Sequence, residues 1–312
     1  VAFANEIAAG KHGNVDSLLI YHADELVFES YYRRGRINYP HFQMSITKSY
    51  TALAIGRAIQ LGHLSSEDLN KPVVSFLKDV DQSKIVSGAS DVTLGQAMNM
   101  HSGIRVEKET QNRLRTPSEI LKGQGQIQAF FENSEPISKE SQQFKYQGCD
   151  PSMAMQVLET VVPGSAREFI TKELLGKMNI NNFVWPDDVS GLPKSAAGSS
   201  MRSRDMIKFG ILVANKGKWE KEQLIPETFI EEATGKRYTN KQETSYGYFW
   251  WRNDMKVGDQ SYDCISGRGA GGQFILVIAE LDLIVVITAH DLGMVGKMLL
   301  KTPTRILPEF VE

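Results

Sequence analysis

Ser45 and Lys48 stand three residues apart at the start of a long apolar-periodic segment. That spacing is just under one helical turn, so both side chains lie on one face and the amine reaches the hydroxyl. A serine in the first turn also sits among unpaired backbone N–H groups, at the positive end of the helix dipole. In a buried, cationic site the pKa of an amine falls, and a neutral lysine can take the serine proton. Such a pair would make Ser45 a nucleophile. The same residues also fit a plainer role, a helix-capping serine beside a solvated lysine. Ser75 and Lys78 repeat the spacing, but in the short packing segment 73–80. Ser45 differs in following a loop and opening a helix.

Other residues add to this pair. Tyr146, in Phe144-Lys145-Tyr146-Gln147-Gly148, precedes a helical segment at Pro151. Held beside Lys48 it would relay a proton as tyrosinate or through its hydroxyl; otherwise it packs on the helix start. Tyr238-Thr239-Asn240 is a competing triplet, in the charged stretch 236–243 that reads as an exposed loop. The run from Ser266 to Gln273 contains Gly-x-Gly-x-x-Gly, but the strand-like Phe274-Ile275-Leu276-Val277-Ile278 follows where a dinucleotide fingerprint needs a helix. Its glycines instead either let a backbone N–H approach a ligand and, with the Ser45 N–H, form an oxyanion hole, or simply make a glycine-rich hairpin. Trp250 and Trp251 alternate across an expected strand, so one faces the core and the other either lines the cleft or packs in the core as well; Trp250 is assigned to substrate. The 6 histidines form no ligand pair, so no metal or cofactor is expected. No Gly-x-Ser-x-Gly elbow occurs, and His101 and His290 lie in a turn and at a strand end, poor places for a Ser-His-Asp triad.

These residues need a scaffold. Residues 17–21 and 25–32 read as paired strands, and 45–61 as a helix with Ile46, Tyr50, Leu53, Ala54, Ala58 and Leu61 on one face. Helical pieces follow at 94–100, 127–133, 151–161, 166–178 and 204–216. Strands return at 246–252, 262–266, 274–279 and 284–288, before a closing helix at 294–307. The expected fold is α+β: an antiparallel sheet built from both termini and flanked by helices, with a mainly helical insertion. We place the sheet domain at 1–64 and 222–312, the helical domain at 65–221, and the active site at their seam. Segment 107–126 reads as a surface loop that shapes specificity.

Composition narrows the partners. Lys and Arg number 35 against 37 Asp and Glu, a net charge of −2, which argues against nucleic acid and anionic membrane surfaces. The longest apolar stretch, 274–290, is broken by Glu280 and Asp282, so no integral membrane segment is expected. Cys149 and Cys264 are read as unpaired thiols. Ala2-Phe3-Ala4 has the small-x-small form left by signal-peptide cleavage, which points to a periplasmic or secreted protein, with a cytoplasmic one as the alternative.

In order, Ser-x-x-Lys, Tyr-x-Gly and a glycine-rich strand resemble the serine β-lactamase and penicillin-binding-protein superfamily. The likeness is nearest to its class C-like branch, with its esterases and 6-aminohexanoate-dimer hydrolases. It extends over nearly the whole chain, through Phe42-Gln43-Met44-Ser45-Ile46-Thr47-Lys48, Met98-Asn99-Met100-His101-Ser102-Gly103 and Tyr246-Gly247-Tyr248-Phe249-Trp250-Trp251. The resemblance implies the β-lactamase/transpeptidase-like fold, Ser45 as acyl-forming nucleophile, Lys48 as its base partner and Tyr146 as a second proton-transfer group. It also implies an oxyanion hole from the backbone N–H groups of Ser45 and Ala270. Two positions depart from the family pattern. Gly148 replaces the asparagine of Tyr-x-Asn, and Ser266-Gly267-Arg268-Gly269 replaces the Lys-Thr-Gly strand, leaving Arg268 as the nearby cation. With Gly148, Arg268 and Gly269 at the substrate edge, the leading expectation is a small ester or amide substrate; the alternatives are a penicillin-recognising D-alanyl-D-alanine peptidase or β-lactamase acting on a β-lactam or peptide, and a non-catalytic peptide-binding or assembly protein of the same fold.

Overall fold

The computed structural model describes residues 1–240 and 243–311. Eight antiparallel strands form the main sheet. Their spatial order is Glu25–Tyr31, Val15–His22, Leu283–Ala289, Gln273–Ile278, Gln260–Gly269, Trp251–Val257, Ser245–Tyr246 and Tyr238–Thr239. The two ends of the chain meet toward one edge of the sheet, at its second and third strands, where Leu19 pairs with Val286 and Ile20 with Val285. Every residue of Gln273–Ile278 and Leu283–Ala289 is buried, because helices cover both faces. Ile275, Val277, Ile284 and Val286 join the core beneath Ile46–Gln60 and Ser203–Ala214. Phe274, Leu276, Val285 and Ile287 join a second core with Phe3, Ile7, Met298 and Ile306. Each such aliphatic or aromatic side chain contributes about 1.5–3 kcal/mol by leaving water. Ala2-Phe3-Ala4 is thus part of the Ala2–Ala8 helix, whose Phe3 and Ile7 are core residues.

The helix carrying Lys48 runs Ile46–Gln60 and is buried at every residue from Ile46 to Ala58. It is a central element walled in on all sides, not a one-faced surface helix. Leu61, placed on the buried face by periodicity, is 40% exposed, and the chain turns away at Gly62 with φ +75°. Leu94–Met98 starts with a reciprocal cap between Thr93 and Gln96. Gly125–Glu132, Cys149–Val161 and Ser203–Ala214 form close to their expected positions. The piece at 166–178 is one α-helical turn, Ala166–Phe169, continuing as wider π-type turns through Leu175. Segment 107–126 contains the short helix Lys108–Arg113.

The expected strand at 246–252 is interrupted. Ser245–Tyr246 ends, the chain turns through 247–250, and a new strand starts at Trp251. Gly247 permits the close approach at this break, since a Cβ there would lie 2.2 Å from the Ala233 carbonyl oxygen, and Phe249 takes a φ of +62°. Tyr238-Thr239-Asn240 also differs from expectation. Tyr238–Thr239 is the edge strand, and the Tyr238 ring stacks on Phe144 at 4.2 Å. Lys241 and Gln242 of that charged stretch lie outside the described residues.

Candidate active site

The chain is pinned on its way into Ser45. His41–Phe42 pairs with Ser200–Met201, Gln43 N donates to the Ser199 carbonyl at 2.8 Å, and Thr47 Oγ1 meets Ser199 Oγ at 2.8 Å. Met44 is held at φ +48°, a left-handed conformation that non-glycine residues enter at a cost. Ser45 then adopts helical angles, and its side chain caps no backbone group. Its Oγ instead lies 3.1 Å from Lys48 Nζ. The capping role open to Ser45 is therefore not the one it takes. Ser75 Oγ, by contrast, donates to the Pro72 carbonyl at 2.6 Å.

Lys48 is 4% exposed, and its amine donates to the Ala196 carbonyl at 2.7 Å. Burial brings its pKa down from 10.5 to about 8, with the Asp150 carboxylate pulling the other way. Tyr146 offers the amine its ring, whose centroid is 4.6 Å from Nζ, a contact that favours the protonated form. Desolvation raises the Tyr146 hydroxyl to about 12, opposed by its hydrogen bond with Ser45. A phenol with that pKa is un-ionised at neutral pH, so of the two routes open to Tyr146 the tyrosinate is disfavoured. The structure brings Ser45, Lys48 and Tyr146 into one cluster.

Asp150 lies beneath this cluster, and nothing in the sequence singled it out. It is fully buried, accepting from Ser102 Oγ at 2.8 Å, Gln147 Nε2 at 2.7 Å and Cys149 Sγ at 3.2 Å. Burial raises its carboxyl to about 6. These bonds, with Lys145 N donating to the Met100 carbonyl at 2.9 Å, fasten the Tyr146 loop to the turn after Leu94–Met98.

The glycine-rich strand passes beside the start of the Ser45 helix. A Cβ on Gly267 would touch Ile46 and Ser49 at 3.4 and 3.5 Å, and one on Gly269 would lie 2.3 Å from the Gln43 carbonyl oxygen. Only glycine permits that approach, which puts the backbone entering Ala270 against the residues entering Ser45. Arg268 is occupied elsewhere: its Nε donates to Ser266 Oγ at 2.8 Å, its Nη2 to Asn253 Oδ1, and its guanidinium lies 5.4 Å over the Trp251 ring. Burial lowers its pKa to about 10. The assignment of Trp250 to substrate is corrected. Trp250 is 0% exposed, packed in the core beside Gly267, whereas the Trp251 ring lies 5.5 Å from that of Tyr146. The turn at Gly247 is the reason, because the two tryptophans are not successive residues of one strand.

The Beta-lactamase family model matches residues 6–305. The chain belongs to the Beta-lactamase family. Solved structures share the fold of this family member. A provisionally named 6-aminohexanoate-dimer hydrolase from Bacillus anthracis aligns with a TM-score of 0.76 at 16% identity, over 99% of this chain and 83% of its own. A D-stereospecific amidohydrolase from Streptomyces sp. aligns at 0.73 and 16%, over 98% of each chain. A class C β-lactamase from Rhodobacter sphaeroides aligns at 0.66 and 16%, over 93% of each. No curated protein sequence matches the chain.

Two cavities of this Beta-lactamase family chain are lined by residues that neighbour the cluster in sequence or by hydrogen bond. Met44, Ala270 and Gly271 help line one of about 360 Å³. Gly148 and Ala196 help line the other, of about 650 Å³, within the range of small-molecule sites. A Cβ at Gly148 would meet Ala196 Cβ at an ordinary 3.6 Å, so the glycine leaves room at the cavity wall without being sterically required. His290 Nδ1 contacts Asp16 at 2.8 Å, and His101 Nδ1 contacts the Asn99 carbonyl at 2.7 Å. Cys149 and Cys264 are free thiols. No helix among the described residues is long and apolar enough to cross a membrane.

Proposed function

We propose that this protein is a serine hydrolase that forms an acyl-enzyme on Ser45 with small ester or amide substrates. The observation that carries the reading is the buried Lys48 amine, lowered to about 8 and 3.1 Å from Ser45 Oγ. In its neutral form the amine keeps one N–H on the Ala196 carbonyl and turns its lone pair to the serine hydroxyl. Ser45 Oγ bonds to the substrate carbonyl carbon as its proton passes to Lys48 Nζ. The new ammonium faces the Tyr146 ring, and the carbonyl oxygen takes up negative charge before the backbone N–H groups of Ser45 and Ala270. The tetrahedral adduct collapses, the bond to the leaving oxygen or nitrogen breaks, and the departing group takes a proton delivered from Lys48 by way of the Tyr146 hydroxyl. Water then adds to the acyl carbonyl, gives a proton back along the same groups, and releases the acid with Ser45 restored.

Family membership and the shared fold support this chemistry and leave the substrate open. The engagement of Arg268 with Ser266 and Asn253 weighs against a β-lactamase or D-alanyl-D-alanine peptidase that needs a cation there for a substrate carboxylate. Hydrolysis of p-nitrophenyl acetate with a burst of about one equivalent of nitrophenol per protein is the expected result. Absence of turnover across a panel of esters, amides and β-lactams would instead support a non-catalytic binding protein on the same fold.

A further inference from the structure

Between Tyr32 and Phe42 the chain presents a cationic and apolar surface that the proposed chemistry does not use. Its base is clamped to the strand Val15–His22. Tyr32 N donates to the Asp16 carbonyl at 2.8 Å, Arg34 N to Asp16 Oδ1 at 3.1 Å and Gly35 N to the Tyr32 carbonyl at 2.6 Å. Further along, Tyr39 N donates to the Arg36 carbonyl at 3.1 Å, and Asn182 Nδ2 to the Asn38 carbonyl at 2.8 Å. This fixed backbone leaves its side chains in solvent: Arg33, Arg34 and Arg36 are exposed, and Ile37, Tyr39 and Phe42 are 41, 57 and 51% exposed. The apolar surface continues on both sides. Phe42 and the exposed Val184 each pair with Ser200, which puts them on one face of a three-stranded sheet. The exposed Leu292 lines the same cavity as Arg34, Tyr39 and Phe42. Among the described residues no carboxylate lies within ion-pair distance of the three arginines. Asp16 and Asp291, the acids lining that cavity, engage His290 Nδ1 at 2.8 Å and Gly293 N at 3.0 Å. Positive charge and open hydrocarbon thus share one patch, which the overall charge of −2 conceals by averaging. That combination complements an anionic bilayer, whose headgroups attract arginine and whose interfacial layer takes aromatic and aliphatic side chains. Other occupants fit less well. Ile37, Val184 and Leu292 offer no face for base stacking, and a nucleic acid needs a longer track of cations. A second copy docked two-fold on this patch would set arginine against arginine.

We propose that segment 33–42, with Val184 and Leu292 beside it, is a docking surface for anionic lipid bilayers. Arg33, Arg34 and Arg36 meet the headgroups, while Ile37, Tyr39 and Phe42 enter the interfacial layer. The segment runs into Ser45, so a bilayer held here lies against the stretch of chain that enters the Ser45 helix. The inference does not depend on the hydrolase reading. Co-sedimentation of the intact protein is measured with vesicles of phosphatidylcholine alone and of phosphatidylcholine with about one third phosphatidylserine. The anionic vesicles bind at least tenfold more tightly, and the preference shrinks as salt rises from about 0.05 M to about 0.5 M. This comparison needs no variant. Arg34→Glu/Arg36→Glu loses at least tenfold in affinity for the anionic vesicles, and Ile37→Ser/Tyr39→Ser loses affinity at unchanged charge. Lys218→Glu/Lys221→Glu, at two exposed lysines of a separate hairpin, leaves it unchanged. Equal affinity for the two vesicles, binding to neither, unchanged affinity in either variant of the segment, or an equal loss in the lysine variant overturns the proposal. So does a short DNA duplex that binds as tightly as the anionic vesicles and is indifferent to Ile37→Ser/Tyr39→Ser, the mark of a general polyanion site. A dimer that depends on Ile37 and Tyr39 and excludes vesicles overturns it in favour of a second copy.

Discussion

Lys48→Met separates what the buried amine does for catalysis from what it costs in stability. Below its folded pKa of about 8, Lys48 carries a charge that burial disfavours, while the unfolded chain holds that proton up to 10.5. At about 1.4 kcal/mol per pH unit, the gap corresponds to a penalty of about 3 kcal/mol at pH 7. The sign follows from proton counting. Between pH 8 and 10.5 the unfolded state binds more protons than the folded one, so the lysine's contribution to stability becomes more favourable across that window, and the penalty vanishes above it. Methionine has similar volume and no charge, but it leaves the Ala196 carbonyl without its donor, at about 1 kcal/mol. Lys48→Met is therefore expected to be more stable than the parent by about 2 kcal/mol at pH 7, and less stable by about 1 kcal/mol at pH 10.5. Urea unfolding of both proteins at the two pH values reads the difference directly. A variant destabilised at pH 7, or a difference that does not change with pH, would refute the claim that Lys48 is a strained amine held for chemistry. The same substitution should abolish turnover.

Other changes probe the groups around it. Tyr146→Phe keeps the ring beneath the amine and loses the hydroxyl; kcat should fall by roughly 10²-fold while the acidic limb of the pH profile stays near 8, and an unchanged kcat would remove Tyr146 from proton transfer. Asp150→Asn deletes the negative charge that holds the Lys48 pKa up, so the acidic limb of kcat/KM should move to lower pH; a shift upward contradicts the electrostatic reading. Gly269→Ala puts a methyl 2.3 Å from the Gln43 carbonyl oxygen and should push Ala270 N–H out of line, costing roughly 10²-fold in kcat with far-ultraviolet dichroism retained. Near-parent activity in that variant would place the oxyanion elsewhere.

The alternation of strands and helices is readable because Gln273–Ile278 and Leu283–Ala289 are nearly continuous apolar runs and the helix 46–60 carries its own stop signal at Gly62. The cluster of Ser45, Lys48 and Tyr146 was readable in part. Spacing put two of them on one helix, whereas the distance from Tyr146 to Lys48 depends on how Lys145 and Asp150 tie their loop to residues 100–102. What the sequence hid follows from burial and backbone. Asp150 reads as an ordinary surface charge until three side-chain donors close around it. The Ala196 carbonyl carries no side-chain signal at all. Trp250 and Trp251 look like neighbours of one strand, but the chain turns through 247–250, with Phe249 at φ +62°, and only Trp251 belongs to the strand that follows. Segment 107–126, which reads as a surface loop, is mostly exposed but holds the helix Lys108–Arg113, and its part in walling a cavity depends on Leu114 folding inward, to 6% exposure.

The account depends above all on Ser45 being the atom that takes the acyl group. Intact-mass spectrometry after brief exposure to a slowly hydrolysed aryl ester, followed by peptide mapping, measures this. One acyl mass on the peptide containing Ser45, absent from Ser45→Ala, is the expected result. An adduct mapped to another residue, or one that persists in Ser45→Ala, would contradict it.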